Sequence, residues 1–234
     1  VTNYIYDPVG RLTEIWAPSN DNLLFTYDAG GRLQQKRYSN GTVTSYGYFA
    51  DNALKQQVTR AAAGTLSQDD YLYDGVGNRR QLIEQVGVAA PAVTSNYSYD
   101  ELNRLVGVKD ASNNPLSAWT YDILNNRSSK TEGGTTLYYN YDTVNQLQDI
   151  RSGSATGTVL STLLYDTGGN LKSRTDGSVT SLFNYDVLNR LSQVNKTGLP
   201  AESYGYDDSG RRVRKTVGGV NSYYLYNGED ILAD

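Results

Sequence analysis

Bulky and polar residues alternate along this chain in short runs, and each run stops after two large side chains spaced i and i+2. "NYIY" at 3–6, "LLFTY" at 23–27, "TSYGY" at 44–48 and "SLFNY" at 181–185 show the pattern. Residues i and i+2 of a strand share a face, so each run predicts a strand with two large groups on one side. The last Tyr of the run recurs as Tyr6, Tyr27, Tyr48, Tyr73, Tyr99, Tyr121, Tyr141, Tyr165, Tyr185, Tyr206 and Tyr226, at intervals of 20 to 26 residues. Two residues earlier stand Tyr4, Phe25, Tyr46, Tyr71, Tyr97, Trp119, Tyr139, Leu163, Phe183, Tyr204 and Tyr224. All but Leu163 are aromatic. No stretch reads as a convincing helix.

The residue after the marker is Asp in most copies: Asp7, Asp28, Asp74, Asp100, Asp122, Asp142, Asp166, Asp186 and Asp207. "YF" at 48 and "YN" at 226 depart from it. Four residues after the marker come Gly10, Gly31, Asn52, Gly77, Asn103, Asn125, Asn145, Gly169, Asn189, Gly210 and Asp230. Gly, Asn and Asp are the residues that tolerate positive φ, so this column marks a backbone conformation. Asp-x-x-Gly/Asn predicts a type I turn, a left-handed residue and a bulge, with Asp accepting N–H groups of the turn. "YDPVG" at 6–10 therefore reads as a hairpin turn with Pro8 at its favoured second position, and not as a reactive Asp-Pro bond.

A second strand follows, often opening Arg-Leu, as in "RLTEI" (11–15) and "RLSQV" (190–194). Then comes a tight-turn signal: "SNG" at 39–41, "GG" at 133–134, "DG" at 176–177 or "GG" at 218–219. Longer intervals arise from 60–70, 86–96 and 151–159, read as loop insertions on the edge opposite the Tyr-Asp turns. The expectation is an all-β, antiparallel meander of ten to eleven hairpins across residues 1–234, with no internal domain boundary. A sheet of about twenty strands at ~4.8 Å spacing curls or closes. Its face is buried only by neighbours along the array.

Composition narrows the chemistry. The 234 residues hold 21 Tyr, 23 Gly, and no Cys, His or Met. Disulfides, thiol nucleophiles, Ser-His-Asp triads and His-based metal sites are thereby excluded within this chain. The lack of Met and the start inside a repeat suggest a piece of a longer protein. No apolar run approaches a membrane span. With 21 Lys and Arg against 25 Asp and Glu, the net charge is −4, which argues against nucleic acid as a partner. The densest basic run, "RRVRK" at 211–215, reads as a solvated strand face. The Asp column reads as turn chemistry. Paired-carboxylate hydrolysis is a distant reading, because no copy differs from the rest, and a calcium site is the weaker alternative to turn capping. No cofactor and no metal are expected. The aromatic columns read as the inward lining of a curved sheet. A glycan-binding face and contact with an enclosed polypeptide remain open beside that reading.

The columns "[YFW]-x-Y-D-x-x-G-R-L" and "Y-D-x-x-G-N-R/L" resemble the YD repeats of RHS proteins, which also occur in teneurins and in the C subunits of insecticidal toxin complexes. The resemblance covers the whole chain, and residues 210–234 look like the stretch before the RHS-associated core. It implies a hollow β-shell, secreted or at a bacterial cell surface. The implied partners are the rest of that shell, an enclosed C-terminal toxin, and subunits of a secretion or toxin complex. The implied role is a wall segment without catalysis; a cell-surface adhesion or glycan-binding array is the alternative. Asp7-Pro8 matches the family's cleavage motif only as a dipeptide, so no catalytic role carries over to it.

Overall fold

The computed structural model describes residues 2–17, 21–87, 89–228 and 230–233. Every regular element in it is a strand. The chain divides into two compact units, Val1–Ala118 and Trp119–Asp234, with the division inside the strand Pro115–Tyr121.

In the first unit the strands Asn3–Tyr6, Leu23–Tyr27, Val43–Tyr48, Gly64–Tyr73 and Val93–Tyr99 each end on a marker Tyr. Each is followed by a return strand: Leu12–Trp16, Leu33–Tyr38, Leu54–Ala61, Arg79–Val86 and Leu105–Lys109. Successive strands pair antiparallel throughout. The second unit repeats the scheme with Thr135–Tyr141, Thr158–Tyr165, Val179–Tyr185 and Glu202–Tyr206 and their returns.

One irregularity recurs. Tyr6 pairs with Leu12 but Ile5 pairs with Glu14, so Thr13 is an extra residue on the return strand. The same slip occurs at Tyr27, Tyr48, Tyr73, Tyr141, Tyr165, Tyr185 and Tyr206. Such a bulge sharpens the local right-handed twist.

Each unit is a single layer with almost no interior. Among the described residues the buried apolar side chains are Val58, Tyr139 and Leu163, and none is fully enclosed. Stability here rests on strand pairing and on side chains shared between neighbouring hairpins.

Two expectations are corrected. Residues 60–70 are not a loop: Leu54–Ala61 and Gly64–Tyr73 pair from Gln56↔Asp70 to Ala61↔Gly64, leaving only Ala62 and Ala63 as the turn. The extra length became longer strands, because Thr65, Leu66 and Gln68 satisfy a ladder as readily as their neighbours. The second is Asp230, expected at a left-handed turn position, which lies beyond the meander. Its last strand is Val220–Tyr223, and Leu225–Asn227 with Asp230–Ala233 forms a separate hairpin. The Tyr224 N–H still donates to the carbonyl of Val213, one residue beyond the last paired position, Arg214↔Tyr223. In that hairpin Asp230 lies in a strand opposite Asn227, and Gly228 takes the positive φ of 63°.

Candidate functional site: the junction between repeats

Where Asp follows the marker, it holds the turn. The Gly10 N–H donates to the Asp7 carbonyl at 3.0 Å, and the Asp7 N–H donates to that of Arg11 at 2.9 Å, closing a type I turn with a left-handed fourth residue. Asp7 Oδ1 accepts the N–H groups of Val9 and Arg11, at 3.0 and 2.9 Å, and Oδ2 accepts Arg11 Nε at 2.7 Å. Asp28, Asp100, Asp186 and Asp207 repeat this with Arg32, Arg104, Arg190 and Arg211. Asp74, Asp122 and Asp166 do so with the side-chain amides of Asn78, Asn126 and Asn170. Asp142 Oδ1 accepts the N–H of Gln146. Ten members of the left-handed column take positive φ: Gly10, Gly31, Gly77, Gly169 and Gly210 between 79° and 92°, and Asn52, Asn103, Asn125, Asn145 and Asn189 between 59° and 71°.

The residue after the left-handed position also reaches the next repeat. Arg32 Nη1 donates to Asn52 Oδ1 at 2.8 Å and to the Phe49 carbonyl at 3.2 Å. Asn78 Nδ2 donates to Asn103 Oδ1, Asn126 Nδ2 to Asn145 Oδ1, and Asn170 Nδ2 to Asn189 Oδ1. At these four junctions one side chain ties a turn to its successor.

The marker rings are spent on the same junction. Tyr27 donates its hydroxyl to the Leu12 carbonyl and Tyr48 to that of Leu33, both at 2.7 Å. Tyr99, Tyr141, Tyr165, Tyr185, Tyr206 and Tyr226 bond in the same way to Arg79, Arg127, Leu147, Leu171, Leu191 and Arg212. Guanidinium groups cover the rings: Arg11 lies 4.6 Å from the Tyr27 centroid, Arg32 4.8 Å from Tyr48, and Arg190 4.8 Å from Tyr206. In the earlier column Arg79 covers Tyr71 and Arg127 covers Tyr139, and Arg212 covers both Tyr204 and Tyr224. Where Asp gives way to Phe49, that ring meets Tyr73 edge-on at 6.2 Å. Phe25, Tyr46, Tyr97, Trp119, Tyr121 and Phe183 are half-buried, whereas Tyr4 and Tyr6, on the first described strand, are 57% and 58% exposed.

Electrostatics follow from these bonds. The backbone N–H of the following Arg, then its guanidinium, holds Asp28 below the ordinary carboxylate value. The backbone N–H of the partner Arg is likewise the main cause for Asp7, Asp100, Asp186 and Asp207. The Asn170 amide does the same for Asp166. Burial raises Tyr48, Tyr99, Tyr141, Tyr165 and Tyr185, and burial together with the Glu202 carboxylate pushes Tyr204 up to about 12.

Sequence reasoning missed three features. Asp110 builds the same turn on the opposite edge: Oδ1 accepts Ser112 and Asn114 N–H, Oδ2 accepts Asn114 Nδ2, and Asn113 has φ 65°. The spacing "DASNN" at 110–114 carried that signal, but Lys109 stands where the marker Tyr would be. The destination of the Tyr hydroxyls was the second. The third is the basic run: Arg211 pairs with Asp207, Lys215 with Glu202, and Arg212 lies between two Tyr rings, so it is a junction element and not merely a solvated face.

Among the described residues no group of three or more acidic side chains is placed to hold a metal ion. Among the described residues no helix is long and apolar enough to cross a membrane.

Residues 70–231 match the family model of the teneurin YD-shell, and residues 6–43 match that of the RHS repeat. No curated protein matches the chain. Among solved structures it is similar to a chain of the Photorhabdus luminescens Tc holotoxin pore, with a TM-score of 0.61, 19% identity, and 92% of this chain covering 12% of that one. The TcdB2–TccC3 crystal structure gives a TM-score of 0.58 at 14% identity, covering 96% of this chain and 13% of that one. The form of TcdB2–TccC3 without its hypervariable C-terminal region gives 0.58 at 14% identity. The chain spans about an eighth of the length of these solved chains.

Proposed function

The chain belongs to the teneurin YD-shell family, and from that premise we propose that it is a length of wall in a β-shell that encloses and protects a C-terminal toxin polypeptide until delivery. The observation that carries this reading is the junction itself. The Asp turns, the bridging Arg or Asn, and the Tyr hydroxyls on backbone carbonyls all serve to join one hairpin to the next. The chain commits its polar chemistry to continuity and leaves almost no interior. That is what a wall one sheet thick requires.

The similarity to TccC3-containing toxin complexes supports enclosure of a cargo and association with other toxin-complex subunits. It also supports a secreted or cell-surface location. In this reading residues 1–234 form one continuous array, the wall segment itself performs no catalysis, and the variable element of the protein lies outside it.

The test is made on the full-length parent. Its mass is compared under native and denaturing conditions. One particle that separates into a long piece and a small C-terminal piece supports enclosure. A single chain with nothing releasable overturns it in favour of surface adhesion.

A further inference from the structure

The side-chain fastenings of the junction are missing together at one place, between the third and fourth repeats. Phe49 stands where the turn Asp would be. Through the first ten repeats the residue after the left-handed position is Arg, Asn or Gln, except for Ala53 in the third. Ala53 has no group with which to cover the next marker ring or to reach the next turn. That ring, Tyr73, meets Phe49 edge-on, and among the described residues no hydrogen bond engages its hydroxyl. The backbone turn itself is ordinary. The Asn52 N–H donates to the Phe49 carbonyl at 3.1 Å, and Asp51 Oδ1 accepts the Ala53 N–H at 3.0 Å.

A cleft of about 390 Å³ opens there, lined by Phe49, Ala50, Asp51, Leu72, Tyr73 and Asp74. Its lining holds two aromatic rings and two carboxylates, and no cation. Among the described residues neither Asp51 nor Asp74 has an ion-pair partner. The Lys55 ammonium, 5.8 Å from the Phe49 ring, borders the neighbouring groove with Asp70 and Ile83. At fastened junctions a guanidinium holds the equivalent position. Arg32 lies 4.8 Å from the Tyr48 ring and donates to the carbonyl of the next residue, Phe49. Arg190 lies 4.8 Å from the Tyr206 ring and donates to the carbonyl of Asp207. The matching carbonyl here is that of Asp74, which follows Tyr73 and takes the Gly77 N–H with one of its two lone pairs.

We propose that this cleft binds a guanidinium ligand, either the arginine side chain of another polypeptide or a free alkylguanidine. Tyr73 offers the ring that Arg32 and Arg190 cover in its counterparts, Asp74 the carbonyl acceptor, and Asp51 the countercharge. A planar, weakly hydrated cation stacks on a ring while its edge donates to oxygen, which a compact ammonium does less well. An aromatic cleft with a few convergent polar groups is the usual form of such a site. The inference goes beyond the wall reading and does not depend on what the shell encloses.

The full-length protein is titrated with N-acetyl-arginine amide, N-acetyl-lysine amide and methylguanidinium, with binding read by saturation-transfer NMR. The arginine compound binds about tenfold more tightly than the lysine one. Asp51→Asn weakens arginine binding by a similar factor, and it keeps an acceptor for the Ala53 N–H, so the turn stays intact. Ala53→Arg supplies a guanidinium from the chain itself; it abolishes binding and raises the melting midpoint. Glu101→Gln, at an exposed acid on another turn, leaves binding unchanged. Methylguanidinium binding as tightly as the arginine compound identifies a free guanidine as the ligand, and tighter binding of the arginine compound identifies a polypeptide side chain. Absence of binding at millimolar ligand overturns the proposal. So does equal binding of the arginine and lysine compounds, or undiminished binding by Asp51→Asn or by Ala53→Arg.

Discussion

The hydroxyl of Tyr48 donates to the backbone carbonyl of Leu33 across 2.7 Å, while Arg32, beside that Leu, lies over the Tyr48 ring. One ring thereby reads both the backbone and the side chain of the preceding repeat.

Removing the hydroxyl alone isolates the first of these. Tyr48→Phe keeps the ring and leaves a part-buried carbonyl unmet. A loss of about 1 kcal/mol is expected, or about 2–4 °C in melting midpoint for a chain of this size. Tyr185→Phe in the second unit acts on an independent junction, so the double variant loses the sum. Denaturant titration checks it; an unchanged midpoint in both single variants would show that these bonds contribute nothing.

Gly77 isolates backbone conformation. Its φ is 92°, and an added Cβ would meet no atom within 4 Å. Gly77→Ala is therefore expected to cost about 1–2 kcal/mol from the left-handed backbone alone. Gly77→Val costs more, because branching at Cβ resists that region further. Asn103→Val loses both the conformation and the bond from Asn78. Thermal melts of the three variants rank them, and parental melting in all would refute the assignment.

Acid weakens the turns. Asp28 and Asp186 sit below their unfolded value of 3.8, so the unfolded chain takes up protons first as pH falls. Their stabilisation is complete above about pH 4 and is lost as pH drops through the lowered values. Denaturation midpoints from pH 7 to 2 should show this decline, and Asp28→Asn with Asp186→Asn should make it shallower. Tyr204 acts at the other extreme. Its value of about 12, against 10.0 unfolded, means stability present below pH 10 and lost as pH rises toward 12.

Insertions separate turn from strand. Two residues added between Ala62 and Ala63 lengthen a turn and should be accepted with little loss. One residue added between Ser67 and Gln68 slips the register and sends Tyr71 and Tyr73 to the opposite face. Solubility and melting of the two variants give the comparison; equal stability would contradict the pairing of 64–70 with 54–61.

The turns were legible because φ > 0 admits so few residue types that Gly10, Asn103 and Asn189 declare their backbone directly. Strand ends were legible for a related reason, each closing on a large ring before a turn. The course of residues 60–70 was not, since Ala and Gly beside Thr and Ser fit a loop or a strand edge equally, and only pairing with 54–61 decides. Asp110 escaped because the search was anchored on Tyr, whereas the turn needs only the carboxylate, the spacing and a left-handed Asn. The Tyr27 and Tyr206 hydroxyl partners lie 15 residues back in sequence, on a strand whose approach is set by the bulge, and no local pattern encodes that.

Each junction draws on two adjacent repeats and nothing further away. A duplicated stretch of some twenty codons would arrive carrying both halves of its own fastening, a Tyr for the hairpin before it and an Arg or Asn for the one after. Length then becomes something recombination can adjust freely, without any compensating change elsewhere in the gene.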